Sequence, residues 1–371
     1  MIPYIEIRNA SRVFIGVIDI ATSIIWSEDY YGAGSFEIFT PLTQRSKELL
    51  QIGYFVTKPA DDHIAIIEEI TYKDEELDGA MIIARGRMAK SLLDRRLAYS
   101  LSGHTITPCR MTGNVATACQ DTVQAHAGTS ASSARSLGIV RGSTGGITKE
   151  ITADTQLGEE SSRQSSYKNL LNFTDTVLQE YECGARITLN GTSLVYDCFE
   201  GVDRSVGNTD GNASIVFSED FENLLTAEFH RNEKNYKNFA LIGGEGVGLD
   251  RYFDTYGSAT GFDRREVFVD ASSFPRKYMD GGVEKTYTNA EYSTMLVGQA
   301  QTELKELIIT EKFSGDISLE KSPYQLGRDF GLGDVVTIQD NRIGLYAAVR
   351  ILTVTEVQDS NGYLTNIVYG G

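Results

Sequence analysis

The sequence lacks the features by which many metalloproteins and membrane proteins are recognised. It has only four cysteines and four histidines in 371 residues, and no Cys-x-x-Cys pair or zinc-type spacing joins them. No segment approaches the roughly 20 apolar residues of a membrane span. The N-terminus has no basic start followed by an apolar run, as a secretory signal would. We therefore expect reduced thiols, no structural zinc, no membrane span and assembly in a reducing cytoplasm.

Positive charge is also scarce, since 34 Lys and Arg stand against 51 Asp and Glu, for a net charge of −17. Tight binding to nucleic-acid phosphates needs an excess of Lys and Arg, so the composition excludes it. An acidic surface facing a channel would instead let DNA pass without adhering. A surface that only confers solubility is the simpler interpretation of the same charge.

Catalytic and ligand-binding signatures are missing as well. The glycine-rich segment Gly243–Gly248 fits no nucleotide-loop pattern and contains an acidic residue, so we interpret it as a turn or bulge beside a strand. Asp203–Asn212 lacks the final glutamate of a calcium loop and is interpreted as a turn. The four histidines stand apart from any H-E-x-x-H or nucleophile–histidine signature, namely His63, His104, His126 and His230. The sequence thus predicts no catalytic, metal or cofactor residue.

Short β-branched and aromatic runs, broken by Gly, Pro or Asp, make up most of the chain and are typical of antiparallel strands. Helical spacing is confined to residues 41–53, 167–184 and 289–308, the last with Asn289 as the predicted N-cap. Residues 104–166 are rich in Ser, Thr, Ala and Gly, and we expect part of them to be loop. The pattern predicts an α+β, mainly β fold.

Two distant pieces of the chain match in order and spacing. Gly34-Ser-Phe-Glu-Ile, a helical link and Ile52-Gly53-Tyr-Phe-Val-Thr correspond to Gly315-Asp-Ile-Ser-Leu, a link and Leu332-Gly333-Asp-Val-Val-Thr. Each piece is followed by a β-hairpin pattern, although a chance match is the alternative because such hairpins are common. Two similar β domains in one chain can be pseudo-equivalent neighbours in a closed ring, so three chains would make a quasi-six-fold collar.

Four segments carry a resemblance to a known family: Trp26–Pro41, Ile67–Arg96, Asn238–Ser272 and residues 315–338. Their most specific motifs are G-R-x-x-x-x-L-L-D-R-R at Gly86–Arg96 and G-x-G-x-x-R at Gly246–Arg251, followed by D-R-R-E at Asp263–Glu266. With these motifs the chain resembles the siphovirus ReqiPepy-type tail protein family and, more distantly, the gp27-like hub of contractile tails. The stretch Leu101–Ile151 matches nothing, so no role is predicted for it.

The resemblance implies two similar tube-forming β-barrel domains with α+β inserted domains, each insert carrying one main helix. The domain plan that follows has five parts: residues 1–105 as the first tube barrel, 106–209 as an α+β insert, 210–270 as strands returning to the barrels, 271–312 as a helical peripheral insert, and 313–371 as the closing part of the second barrel.

The function implied is that of a structural hub at the tail tip or baseplate of a phage, prophage or related injection device, acting as a homotrimer and not as an enzyme. Its expected partners are a distal tail or tail tube protein and a spike, fibre or tape-measure protein. A tail-associated cell-wall hydrolase and a glycan-binding adhesin are the alternatives. Arg forms bidentate contacts with carboxylates, so the charged motifs predict interface salt bridges, at Arg87, Arg95, Arg96, Arg251, Asp263, Arg264, Arg265 and Glu266.

Overall fold

A computed structural model describes residues 2–75, 79–102, 104–107, 109–151, 163–165, 167–226, 228–317, 322–342 and 344–370. These residues form two compact units. The larger unit contains the described residues up to 151, from 163 to 228 and from 313 onwards, and the smaller unit contains Phe229–Lys312. Strand residues outnumber helix residues, which confirms the mainly β, α+β class. None of the helices in the described ranges is both long and apolar enough to cross a membrane.

The N-terminal part of the larger unit is built from seven strands and one short helix. Alternate residues are buried in the strands Ile5–Arg8, Ser23–Asp29 and Ser35–Pro41, as the period of two along a strand requires, and these side chains join Trp26 in one apolar core. The other strands bury consecutive residues, because Phe55, Ile64 and Ile66 belong to a second core shared with the insert that follows. The predicted helix is confirmed, and Thr43 caps it in a reciprocal capping box with Ser46. The elements are β1 Ile5–Arg8, β2 Phe14–Ile18, β3 Ser23–Asp29, β4 Ser35–Pro41, α1 Gln44–Leu49, β5 Phe55–Thr57, β6 Ile64–Glu75 and β7 Gly79–Met88.

The insert that follows packs around two helices on the same unit. After a 3-10 helix at Ala89–Arg95, its elements are β8 Leu97–Ala98, β9 Ser100–Ser102, β10 Thr105–Thr107, β11 Cys109–Met111, α2 Val115–His126, β12 Ile139–Arg141, β13 Arg163–Ser165, β14 Lys168–Asn169, α3 Leu170–Glu180, β15 Gly184–Asn190 and β16 Ser193–Phe199. The prediction of one main helix per insert is therefore wrong for this insert.

Helix α2 escapes detection in the sequence because much of its buried surface is polar. Val115, Cys119 and Val123 form an apolar stripe, but Gln120 and Gln124 are buried with them. The Gln120 amide donates to backbone oxygens outside the helix, at 2.8 Å in the nearest case, and the Gln124 amide donates likewise at 3.0 Å. Buried glutamines whose amide N–H groups are hydrogen-bonded weaken the hydrophobic periodicity of the helix.

Strand β17 Val216–Ser218 is the last strand of the larger unit before the smaller one begins. In the smaller unit a three-stranded sheet packs against one helix. The core of this unit joins Ala240, Ile242 and Val269 of the sheet to Tyr292 and Leu296 of the helix. The elements are β18 Glu228–Asn232, β19 Phe239–Gly243, β20 Phe253–Tyr256, β21 Glu266–Asp270, β22 Lys277–Asp280, β23 Val283–Thr286 and α4 Asn289–Glu306, with 3-10 turns at Gly248–Asp250 and Gly261–Asp263.

Two expectations for this region differ from the structure. Residues 239–270 form their own sheet with α4, where the sequence predicts strands that return to the barrels. The helix has Thr288 and not Asn289 as its N-cap, since the Thr288 side chain accepts from the Glu291 N–H in a capping box. The remaining domain boundaries stay a prediction.

The chain ends in β24 Thr310–Ile317, β25 Val335–Asp340, β26 Leu345–Asp359 and β27 Gly362–Gly370. These strands, the N-terminal ones and β17 lie in a single sheet of the larger unit, in the order β24-β27-β26-β3-β4-β7-β6-β5-β1-β2, with β25 also on β26 and β17 on β25. Among the described strands this path does not close on itself. The pairing of β3 with β26 merges the two predicted barrels into two halves of one sheet.

The internal match of the sequence is confirmed by strand order and register. Strands β4–β7, the first repeat, and β24–β27, the second repeat, have the same neighbours in the same order. The Gly53 N–H donates to the Ile67 oxygen at 2.8 Å, and the Gly333 N–H donates to the Ile351 oxygen at 2.9 Å. Both hairpins shift register directly after these isoleucines. Both glycines have positive φ, +84° and +90°, which favours glycine in each copy.

Candidate functional site

The first group of predicted interface residues forms ion pairs inside the larger unit. The Arg87 guanidinium grips the Glu68 carboxylate at 2.8 and 3.1 Å and reaches Asp94 at 3.3 Å. Arg95 adds a contact to Glu68 at 3.5 Å. The hydrogen bond from Arg87 lowers the pKa of Glu68. The motif therefore joins the end of β7, its neighbour β6 and the 3-10 helix.

Arg96 connects this motif to the insert. Its Nε donates to the backbone oxygen of Arg135 at 2.7 Å. Arg135 in turn donates to backbone oxygens of Tyr99 and Leu97, so the two arginines hold the start of the insert from both sides.

The residues of the D-R-R-E motif form ion pairs and hydrogen bonds inside the smaller unit. Arg265 contacts the Glu233 carboxylate at 2.9 Å, and Arg264 contacts Glu266 at 2.5 Å. The backbone oxygen of Asp263 accepts from the Asn238 amide at 2.8 Å. The motif thus ties the start of β21 to the segment before β19.

The contacts of Arg251 explain why glycines precede it in the segment Gly243–Gly248. Its guanidinium donates to the oxygen of Gly243 at 2.9 Å and to that of Gly244 at 3.1 Å, and it pairs with Asp270 at 2.5 Å. A Cβ at Gly243 would lie 2.7 Å from the guanidinium. The glycines therefore hold a cation with backbone carbonyls, the opposite polarity to a phosphate loop.

These predicted residues fall into two groups, one in each unit, and each group is bonded inside its unit. The structure does not bring the eight residues together into one site. Their role at an interface stays a prediction.

A different charged site lies where the two repeats meet. Strands β3 and β26 pair antiparallel, with Trp26 opposite Glu356 and Ser27 opposite Thr355. The hydroxyl oxygens of Ser27 and Thr355 are 2.9 Å apart. We call this strand pair the seam. The six charged or titratable residues around it form the seam cluster: Glu28, Lys58, Asp61, His63, Arg186 and Glu356.

Lys58 links both strands of the seam from the loop after β5. Its ammonium contacts Glu356 directly, lies 3.3 Å from Asp61 and 3.8 Å from Glu28, and stands 5.3 Å from the Trp26 ring centroid. Burial alone would lower the pKa of Lys58, but the nearby Glu356 and Glu28 carboxylates raise it. The lysine remains charged and neutralises acidic groups from both repeats.

His63 bridges the seam to the insert. Its Nδ1 lies 2.7 Å from the Glu28 carboxylate, and its Nε2 lies 2.9 Å from Nη1 of Arg186 on β15. A neutral ring can donate from Nδ1 to Glu28 and accept at Nε2 from Arg186. Burial and Arg186 lower the pKa of His63, yet the hydrogen bond and charge of Glu28, with Asp61, raise it overall.

The Glu28 carboxylate lies among three partners, namely Lys58, His63 and the Trp26 indole. Burial would raise its pKa, but the hydrogen bond and charge of His63, the charge of Lys58 and the Trp26 indole N–H lower the pKa to about 2. The indole nitrogen donates to it at 2.9 Å. Glu28 therefore stays ionised at any physiological pH.

Three donor groups of the cluster, from Glu28, Asp61 and His63, lie within 4.8 Å of one another and could hold a metal ion. The Lys58 ammonium already contacts both carboxylates, so the protein supplies its own cation there. The arrangement therefore fits a set of ion pairs that connects the two halves of the sheet better than it fits a metal centre.

A groove of about 660 Å³ opens beside the cluster within the larger unit. Its lining carries both signs of charge, with Arg204 paired to Asp334 at 3.0 Å and Lys58 and Glu356 at its wall. Mixed and internally paired charges select no particular charged ligand.

Sequence reasoning missed the seam cluster, and it treated His63 as isolated. Its members come from four separate segments of the chain, and Lys58 and Glu356 are 298 positions apart. No local motif joins these segments, so the sequence carried no signal for the cluster.

Comparison with known proteins agrees with this fold. No curated protein matches the sequence. The solved tail protein from Neisseria meningitidis MC58 is 13% identical over 99% of this chain and 96% of its own, with a TM-score of 0.56. The 43 kDa tail protein of prophage MuSo2 from Shewanella oneidensis is 11% identical over 99% and 98%, with a TM-score of 0.58. At such identities the likeness concerns the fold.

The family model described as Siphovirus ReqiPepy6 Gp37-like protein matches residues 4–371. This match confirms the resemblance that the sequence motifs indicate. The chain therefore belongs to the Siphovirus ReqiPepy6 Gp37-like protein family.

Proposed function

We propose that this chain is a structural hub at the tail tip or baseplate of a phage or phage-derived injection device. Three copies form a ring in which six similar repeats surround the channel for DNA or effector. The observation that carries the proposal is the pair of repeats with the same strand order and matching registers. Two equivalent repeats in one chain allow a three-fold ring to match a six-fold tube.

The net negative charge of the chain supports a role in lining a channel for DNA. Residues 229–312 contain 11 Lys and Arg against 13 Asp and Glu, so most of the net charge of −17 lies outside them. A strongly acidic ring repels the phosphate backbone and keeps DNA from adhering to the wall. The ring would bind a distal tail or tail tube protein on one face and a spike, fibre or tape-measure protein on the other.

A structural role without catalysis is favoured by the state of the charged groups. Glu28, Lys58, His63 and Glu356 are occupied with one another in the seam cluster. Groups engaged in this way hold strands together, whereas a catalytic acid or base must be available to a substrate.

The proposal is tested on purified particles with gold-labelled antibodies against the chain. We expect label at the distal tail end only, and native mass spectrometry of the released tip should give three copies. Label along the tail shaft or on the head would contradict the hub. A cleared band in a cell-wall zymogram of the pure chain would favour the hydrolase, and adsorption of the pure chain to host cells would favour the adhesin.

A further inference from the structure

The apolar cores of the two repeats lie on one face of the sheet. Directly opposite residues of paired strands share a face, and Val354 lies opposite Glu28, two residues after Trp26. Trp26 belongs to the core of the first repeat, and Val354 belongs to the core of the second. Helix α1 packs on the same face through Leu49. The opposite face therefore runs across the seam without either of these cores.

Two rows of side chains cross the seam on this opposite face. Direct pairing between neighbouring strands aligns the first row, which is Leu364, Val357, Ile25, Glu37, Arg85 and Glu69. The second row runs beside the first and consists of Asn366, Thr355, Ser27, Ser35 and Arg87. All of these residues are half-buried or exposed. We call the two rows together the wall rows.

Both arginines of the wall rows are held by carboxylates. Arg85 contacts Glu37 directly on one side, and it lies 3.1 Å from Glu69 on the other. Arg87 lies 2.8 Å from Glu68. Two carboxylates around one guanidinium leave the Glu37–Arg85–Glu69 group with a net negative charge. Because phosphate binding depends on available Lys and Arg, these rows give the DNA backbone little to hold.

The layers packed on the sheet indicate which face can line a ring. The covered face carries two apolar cores and helix α1 along both repeats. The insert packs on the opposite face at the ends of the strands, where Phe55, Ile64 and Ile66 join its core. The outer circumference of a closed ring is longer than the inner one, so the face with the continuous layers fits outside. The wall rows then face the channel.

We infer that the wall rows line the channel, and that Glu37 and Glu69 hold Arg85 away from the duplex DNA that passes through it. The inference rests on the proposed hub and names the surface that its DNA meets. Each arginine that binds phosphate makes the logarithm of the affinity fall with the logarithm of the salt concentration, with a slope of about −0.9. Three freed copies of Arg85 in one ring would therefore hold DNA with a slope of about −3.

The double variant Glu37→Gln with Glu69→Gln tests this inference on tips released from particles. It removes both carboxylates that hold Arg85 and keeps the arginine. Fluorescence anisotropy at increasing salt measures the binding of a linear duplex and of a covalently closed circle of the same sequence, since only the linear duplex can thread a closed ring. We expect wild-type tips to bind neither DNA. Tips of the variant should bind the linear duplex, with a slope of about −3, and not the circle.

Two further variants separate the effect of Arg85 from the effect of net charge. Adding Arg85→Gln to the double variant should abolish binding of the linear duplex, because the freed cation is then gone. Asp19→Asn with Glu48→Gln is the matched control. It removes the same charge from two exposed positions outside the wall rows and should leave the tips unable to bind either DNA.

The outcomes separate this surface from the proposed function. If three-copy tips of the double variant bind both DNA forms equally, or bind neither, the wall rows do not line the channel and the hub is unaffected. Binding that survives Arg85→Gln, or that the matched control reproduces, would overturn the role of Arg85. Gold label away from the distal tail end would instead contradict the hub itself.

Discussion

The ring of Tyr30 packs directly on Gly333, so that a Cβ added at Gly333 would lie 2.3 Å from the ring carbon Cε2. The Tyr30 hydroxyl donates to the Glu182 oxygen at 2.9 Å and accepts from the Gly201 N–H at 3.3 Å. Burial raises the pKa of this phenol. One side chain at the end of β3 thus contacts the insert and the second repeat together.

We expect Gly333→Ala to destabilise the protein more than Gly53→Ala, although the two glycines are equivalent. Both alanines are strained by positive φ, at about 1 kcal/mol, and only Gly333→Ala also meets the Tyr30 ring. A clash in a packed site typically adds about 1–3 kcal/mol. Urea unfolding followed by tryptophan fluorescence measures the difference, since Trp26 is the only tryptophan. Equal losses would show that the contact with Tyr30 relaxes.

Lys58→Met should lower the stability of the larger unit. The change leaves Glu356, Glu28 and Asp61 without their shared cation, and loss of one partner of a largely buried charge pair costs about 2 kcal/mol or more. Lys47→Met on exposed α1 is the matched control and should change the unfolding free energy by less than about 0.5 kcal/mol. The measurement is the same urea unfolding experiment. Equal effects of the two variants would mean that water screens the seam cluster.

Two histidines should titrate on opposite sides of the ordinary value. NMR titration of the imidazole protons should place the pKa of His63 above 6.5, because the pull of Glu28 exceeds the effect of burial. Burial and the neighbouring Arg135 lower the pKa of His126 to about 4. In Glu28→Gln the His63 pKa should fall below its ordinary value, while His126 serves as the unchanged internal control. A His63 pKa that ignores this substitution would remove the link between the two residues.

The seam cluster should make the free energy of unfolding depend on pH in two separate pH ranges. The folded-state pKa of Glu28 is lowered to about 2, so its contribution is present above its ordinary value and is lost as the pH falls towards 2. The raised pKa of His63 has the opposite sign, and its contribution is complete below about 6.5 and lost as the pH rises through the folded-state value. Unfolding curves of the wild type and Glu28→Gln across pH 2–9 measure both contributions to stability. The variant should lose the pH dependence from Glu28 and the pH dependence from His63 together.

The buried pair Lys90–Asp175 should respond to single and double substitution very differently. Lys90 is 2% exposed, and its ammonium lies 3.1 Å from Asp175 on α3. Lys90→Met should cost about 3–5 kcal/mol because it leaves a buried carboxylate unpaired, and adding Asp175→Leu should recover most of that loss. Arg141→Met breaks an exposed pair with Asp121 and should cost less than about 1 kcal/mol. A double variant as unstable as the single one would mean that packing, not charge, dominates at this position.

Local patterns predicted several elements because local physics decides them. Helices α1, α3 and α4 follow from apolar spacing and capping residues, and the two hairpins follow from alternation and turn glycines. Helix α2 was missed because Gln120 and Gln124 are buried and bonded to distant backbone oxygens. Among the site residues, the charged motifs were identified, but their partners, such as Glu68 for Arg87, depend on which strands become neighbours.

The sequence by itself determined the family, the mainly β class and the existence of two matching repeats, because motifs, strand period and glycines with positive φ are local properties of the chain. Only the tertiary structure decided that β3 joins β26, and with it the seam cluster. Ser27 and Thr355 are 328 positions apart, and every strand edge presents the same backbone N–H and C=O groups. Which edges meet is therefore set by the packing of whole repeats, and no local pattern records it.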